Sequence, residues 1–236
     1  WGDDITIETK VNKNQIVCPS VEEKENIVSK LINLLKNTHG FKENLKVTIN
    51  KRIPLKSGLG GGSSNAASVL VAINKIFNLD LSKKKLIDLA LVLGSDVPIF
   101  VHGRSSIATG RGEIFKKVSL VENPVLVIIP NSKVSTKLAF ENFNNIESIK
   151  YSNKINFNSF ENWIRKNFSE IDKIFNYIES YNDAHLSGTG SAIYSMFNNF
   201  EEAQKIIDNA PSNMNCFLTT TLNNSPIEDE IKNYGV

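Results

Sequence analysis

Gly58, Gly60, Gly61 and Gly62 fall within five residues, between one segment that alternates like a strand and another that repeats like a helix. Before the glycines, Val47 and Ile49 point one way while Lys46, Thr48 and Asn50 point the other, which predicts a half-buried strand over 45–51. After them, Ala66, Val69, Leu70, Ile73, Ile76 and Phe77 share one helical face. A glycine run held between two such elements is a tight turn with its own job. Without Cβ atoms the backbone can fold back and bring its N–H groups close to an anion. The following helix directs its unpaired amides and positive dipole end to the same point. Ser63 and Ser64 add hydroxyls for a phosphate oxygen or Mg²⁺, and Ala66 and Ala67 keep the first turn slim. The segment therefore reads as a phosphate-binding loop opening a helix.

Two common nucleotide motifs are excluded. A P-loop ends in Gly-Lys-Ser/Thr, whereas this loop ends in Gly62-Ser63-Ser64. The dinucleotide fingerprint needs glycine where Ser63 stands and a βαβ context, which the element pattern does not supply.

That pattern is mixed. Ile27, Leu31, Leu34 and Leu35 predict a helix ended by Gly40, and Leu86, Leu89, Ala90 and Leu93 predict another that starts after Ser82 and ends at Gly94. Residues 97–118 read as two or three strands joined by glycine turns. A second block opens at Pro124 with an apolar strand over 125–129. Helices are expected around 135–143, 160–167 and 170–180, and another carries Ala203, Ile206 and Ile207; strands are expected over 192–197 and 215–221. The Asn-rich stretch 141–158 reads as a solvated connection. Irregular alternation of strands and helices predicts an α+β fold rather than a doubly wound sheet, in two domains over 1–122 and 123–236.

Composition removes several function classes. The 236 residues are 41% hydrophobic with a net charge of +2 and dispersed Lys and Arg, so there is no basic platform for nucleic acid. No apolar run is long enough to span a membrane as a helix. Cys18 and Cys216 are far apart, predicting free thiols in a reducing compartment, and His39, His102 and His185 lack metal-ligand spacing. Nothing in the sequence specifies an oligomeric state. The chain opens at Trp1-Gly2-Asp3-Asp4 on the edge of an alternating stretch, which predicts a missing opening segment.

Pro54-Leu55-Lys56-Ser57-Gly58-Leu59-Gly60-Gly61-Gly62-Ser63-Ser64-Asn65 resembles the second motif of the GHMP kinases, Pro-x-x-x-Gly-Leu-Gly-x-x-Ser-Ser. The extra glycines and the Asn65-Ala66-Ala67 continuation are similar to the branch that phosphorylates a diphosphocytidyl sugar alcohol. The resemblance implies a GHMP-type fold in two halves, an ATP- and Mg²⁺-dependent kinase with that small-molecule substrate, and a cytoplasmic location, or the plastid stroma in a eukaryote. Another GHMP kinase, for example one acting on homoserine, and a catalytically silent nucleotide-binding relative are the alternatives.

Roles follow residue by residue. Leu93-Gly94-Ser95-Asp96-Val97-Pro98 resembles the stretch whose aspartate is the general base. Alone, Asp96 reads as a turn or cap residue; the resemblance makes it the catalytic carboxylate, facing the substrate. Pro54, Gly58, Leu59, Gly60, Gly61, Gly62, Ser63, Ser64 and Asn65 fall to ATP and its phosphates, with Ser63 also at the metal. Asn26 matches an adenine-contacting position and Lys51 a basic residue near the nucleotide, though a helix cap and a surface lysine are equally open readings. Gly110 and Arg111 resemble a substrate-side loop, or a plain hairpin turn. Leu186-Ser187-Gly188-Thr189-Gly190 reads locally as a tight turn into a strand and resembles the third GHMP motif, in which Gly188 and Thr189 would meet substrate at a junction between the two halves. The family's first motif, a Pro-x-Lys-x-Asn-Leu strand, has no counterpart here, and Phe157-Asn158-Ser159-Phe160-Glu161 departs from the branch's Asn-Asp-Leu-Glu.

Overall fold

The computed structural model describes residues 1–142 and 158–233; the predicted connection over 141–158 therefore lies almost wholly outside the described residues. The chain forms two compact units, one of residues 1–55, 60–120 and 222–236, the other of residues 56–59 and 121–221. The halves expected to be consecutive are thus interleaved, at the glycine loop and again at the C-terminal residues.

The first unit begins with β1 (Asp4–Glu8), β2 (Gln15–Val17), α1 (Ile27–His39) and β3 (Lys46–Asn50). β3 is the central strand, antiparallel to β1 and parallel to β2. Its Val47 and Ile49 are buried, as the alternation predicts. α1 starts where Asn26 accepts a hydrogen bond from the Val28 amide and stops at Gly40, whose positive φ of 62° allows the left-handed C-cap. α2 (Gly61–Ile76) and α3 (Lys83–Leu93) follow, with Ser82 capping α3 as expected. Ala66, Val69, Leu70 and Ile73 of α2 join Leu31 and Leu35 of α1 in one core.

One expectation fails next. Val97–His102, read as a strand, is a short helix, α4. Its apolar run is buried beneath neighbouring helices rather than in a sheet, and Pro98 in the first turn has no N–H to lose to the helix. Only then come β4 (Ser106–Thr109) and β5 (Ile114–Lys117), an antiparallel hairpin. Its Phe115 ring stacks 4.3 Å from the imidazole of His102.

The second unit is built on β6 (Pro124–Ile129), followed by α5 (Thr136–Glu141), α6 (Glu161–Asn167), α7 (Ser169–Glu179), β7 (His185–Leu186), β8 (Ile193–Met196), α8 (Phe200–Asp208) and β9 (Asn215–Thr220). The antiparallel sheet runs β7-β8-β6-β9. Every residue of β6 is buried, because its even positions Leu126 and Ile128 face one core and Val125, Val127 and Ile129 another. Burial on both faces explains why β6 reads as a continuous apolar run. α7 contributes Ile171, Ile174, Phe175 and Ile178 at helical spacing, each worth about 1.5–3 kcal/mol of burial. Arg165 of α6 binds Asp172 and Glu179 of α7 and lies over the Phe175 ring. α9 (Ile227–Asn233) closes the described chain in the first unit. Cys18 and Cys216 are both free, and no described helix is long and apolar enough to cross a membrane.

Candidate active site

The glycine loop starts in the second unit. Ser57 is buried, its carbonyl accepting from the Ala192 amide at 2.8 Å, while the Ser187 hydroxyl donates to the Gly58 carbonyl at 3.0 Å. Gly58 has φ +78°, and a Cβ there would overlap the Ser187 carbonyl oxygen and come within 2.8 Å of that of Gly190. Leu59 packs against Val125, Val127, Ile129 and Ala192. The two glycine-rich segments that the sequence placed about 130 residues apart are therefore packed backbone to backbone within one unit.

The partner turn is held from its other side by two residues that the sequence reading set aside as a departure. Asn158 Nδ2 donates to the carbonyls of Leu186 and Gly188 at 2.9 and 2.7 Å. Glu161 Oε2 accepts from the Leu186 amide at 3.1 Å. The segment thus keeps asparagine and glutamate at the two ends of the four-residue pattern, and those ends do the holding. Burial pushes the Glu161 carboxyl up, partly opposed by the Leu186 N–H and by His185 and Arg165. Thr189 shares a hydrogen bond with Thr136 at 3.1 Å. Asn158→Ala removes both bonds to the turn carbonyls and the one its Oδ1 accepts from the Phe160 amide, and should cost about 1–3 kcal/mol, read as a lower denaturation midpoint with unchanged slope.

From Gly60 onward the loop belongs to the first unit. Gly60 takes φ 68° as the N-cap of α2, and its carbonyl accepts from the Ser64 amide at 2.8 Å. It offers no side-chain cap, so the amides of Gly61, Gly62 and Ser63 point out of the helix without one. A Cβ at Gly60 would meet the Phe100 ring at 2.8 Å. Phe100 belongs to α4, and Asp96 is the N-cap of that helix, four residues earlier or about 6 Å along the axis between the two backbone positions. Asp96 is exposed and makes no side-chain cap bond, leaving its carboxylate available. The cap position foreseen as its local reading is real, without the capping bond. The β4–β5 turn comes to the same place: a Cβ at Gly112 would overlap the Ser95 carbonyl, next to Asp96. Gly110 has φ +71°, and Arg111 is exposed with its amide bound to Glu113 at 2.7 Å. Both readings of this loop are thus compatible, since the hairpin turn is packed beside Asp96.

Asn26 is buried and spends its Oδ1 on capping α1. Lys51 is not a surface lysine: its side chain is 9% exposed and pairs with Asp3, which is 1% exposed. Its Nζ lies 3.1 Å from where a Cβ of Gly61 would stand, and Ile53, before Pro54, packs on the same glycine. Asp3 also accepts from the amides of Arg52 and Ile53 at 2.7 and 2.8 Å and from Asn65 Nδ2 at 2.9 Å. Burial alone would raise the Asp3 carboxyl, but the Lys51 ammonium and these three donors together hold it below the usual range. Because the unfolded chain then takes up the proton first, Asp3 stabilises the fold above about pH 4, and that stabilisation is lost as pH falls through the depressed folded value. Urea melts from pH 7 to pH 3 should show a steeper loss of stability for the wild type than for Asp3→Asn.

Among the described residues no group of three His, Cys, Asp or Glu side chains is placed to hold a metal ion. The hydroxyls of Ser63 and Ser64 lie in the first turn of α2, beside the uncapped amides.

The GHMP kinases N terminal domain matches residues 26–104, and the GHMP kinases C terminal domain matches residues 139–216. The 4-diphosphocytidyl-2-C-methyl-D-erythritol kinase of Pasteurella multocida (strain Pm70) is 34% identical over 240 residues, covering 97% of this chain and 81% of that protein. The enzyme of the same name from Psychromonas ingrahamii is 32% identical, covering 86% of this chain and 74% of the relative. A crystal structure of 4-(cytidine 5'-diphospho)-2C-methyl-D-erythritol kinase aligns with TM-score 0.79 at 24% identity, over 92% of this chain and 85% of the other. The mevalonate kinase of Methanococcus jannaschii shares the fold at TM-score 0.70 and 13% identity, over 94% and 89% of the two chains.

Proposed function

Because the chain belongs to the GHMP kinases, within the 4-diphosphocytidyl-2-C-methyl-D-erythritol kinase family, we propose that it transfers the γ-phosphate of ATP to the 2-hydroxyl of 4-diphosphocytidyl-2-C-methyl-D-erythritol, a step in isoprenoid-precursor synthesis. The observation that carries this reading is the joining of two elements in the first unit. The glycine-headed α2 meets α4 through Gly60 and Phe100, and α4 is the helix that Asp96 begins.

In this reading the amides at the head of α2, with Ser63 and Ser64, hold the triphosphate, a use of helix N-termini that needs little else from side chains. Gly58, Leu59 and Pro54 shape the loop around it, and Asn26 and Lys51 border the nucleotide. Ser63 would hold Mg²⁺, which would supply charge neutralisation for the transferred group. Asp96 accepts the proton of the substrate hydroxyl as its oxygen bonds to the γ-phosphorus and the bridging oxygen departs with ADP. Gly110 and Arg111 are assigned to the substrate, as are Gly188 and Thr189. We assign the reaction to the cytoplasm as part of this reading.

The test is ADP release from the protein, ATP and Mg²⁺ with either the diphosphocytidyl alcohol or homoserine. Turnover with the former alone is expected. Turnover with homoserine alone would move the chain to another GHMP activity, and ATP binding without turnover on either would make it a silent relative.

A further inference from the structure

We propose that Asp3 is a positioning residue for nucleotide binding, fixing Lys51 and Asn65 at the head of α2; the proposal rests on the phosphate-binding reading above.

An ionised carboxylate offers about four acceptor positions, and Asp3 fills them all. Oδ1 takes the Arg52 and Ile53 amides, while Oδ2 takes Asn65 Nδ2 and the Lys51 ammonium. No capacity is left for a proton acceptor's role or for a metal, and at 1% exposure the side chain is out of water. Asp3 therefore acts through the groups that it binds.

Asp3 and the groups that it binds lie on three separate segments. Asp3 precedes β1, Arg52 and Ile53 follow β3, and Asn65 sits in the second turn of α2. One carboxylate thus ties the edge of the sheet to the start of the helix. The Lys51 ammonium is placed beside Gly61, the first residue of α2, and Ile53 packs on the same glycine, with its Cγ2 2.8 Å from where a Cβ would stand. Gly61 supplies one of the amides assigned to phosphate. Loss of the Asp3 charge would free the ammonium from its ion-pair partner and leave Asn65 without its acceptor. The first turn of α2 would then lose its lateral support, at the point where small displacements matter most for an anion gripped by amides.

The experiment measures ATP affinity calorimetrically, well below the melting temperature, for the unaltered protein, Asp3→Asn, Lys51→Met and the double variant. Asp3→Asn is expected to weaken ATP binding about tenfold, as is Lys51→Met, because hydrogen bonds to charged groups are among the stronger ones. The double variant should bind within about twofold of the weaker single one, since both remove the same link. ATP affinity unchanged in Asp3→Asn, whatever happens to its melting temperature, would make the residue a purely structural tie and overturn the proposal. Additive losses would do the same, by separating Asp3 from Lys51. Should Asp3→Asn not fold, Asn65→Ala takes its place in the cycle, and additivity with Lys51→Met overturns the proposal equally. Failure of the unaltered protein to bind ATP would instead bring down the phosphate-binding reading, and this inference with it.

Discussion

Gly58→Ala should be the most damaging single-methyl substitution in the glycine loop, lowering stability by about 3–5 kcal/mol. Two costs combine. The φ of +78° lies in the left-handed region, where a side chain costs about 1–2 kcal/mol. The added Cβ would also overlap the Ser187 carbonyl and crowd that of Gly190, and both are backbone atoms of a turn held on its other side by Asn158. Neither wall can swing away as a side-chain tip would. At about 2–4 °C per kcal/mol for a chain of this size, the loss corresponds to a fall of roughly 10 °C in melting temperature. Gly62→Ala is the matched control for stability. A Cβ there meets nothing within 4 Å, and its φ is not in the left-handed region, so its melting temperature should stay close to that of the wild type. A Gly58→Ala protein melting within a degree or two of the wild type would mean that the loop does not pack on the 187–190 turn.

Asp96→Asn is expected to lower turnover at least about 100-fold while ATP affinity stays near wild type. Asparagine keeps the shape of the side chain but cannot take a proton from an alcohol at neutral pH. The structure makes the expectation sharper than the sequence could. Asp96 is exposed and makes no capping bond to α4, so the substitution removes no observed intramolecular contact and should leave the melting temperature in place. Equal losses of ATP binding and rate, or a large drop in stability, would assign Asp96 to structure instead.

Much of the fold is written locally. The helix boundaries at Asn26, Gly40 and Ser82 are visible because capping chemistry depends on residues a few positions apart. The apolar faces of α2 and α7 and the alternation of β3 follow from side-chain periodicity. α4 reads as a strand in the sequence because an apolar run of six residues is too short to carry a period that separates strand from helix. β2 and β7, of three and two residues, are too short to leave a pattern, and they exist through their pairing with β3 and β8.

The candidate site divides in the same way. By itself the sequence determined that a glycine turn opens a helix at Gly60–Ser64, because glycine conformational freedom and helix-end amides are properties of adjacent residues. It also singled out Asp96, through the motif around it. Only the tertiary structure decided that Ser57 and Gly58 are built into the unit that carries Ser187–Gly190, that Asn158 and Glu161 clamp that turn, and that Lys51 is buried against Asp3. These contacts join residues from 25 to 129 positions apart. A carboxylate's partners at such separations depend on how the chain returns to the same point in space, and no local pattern of residues encodes that return.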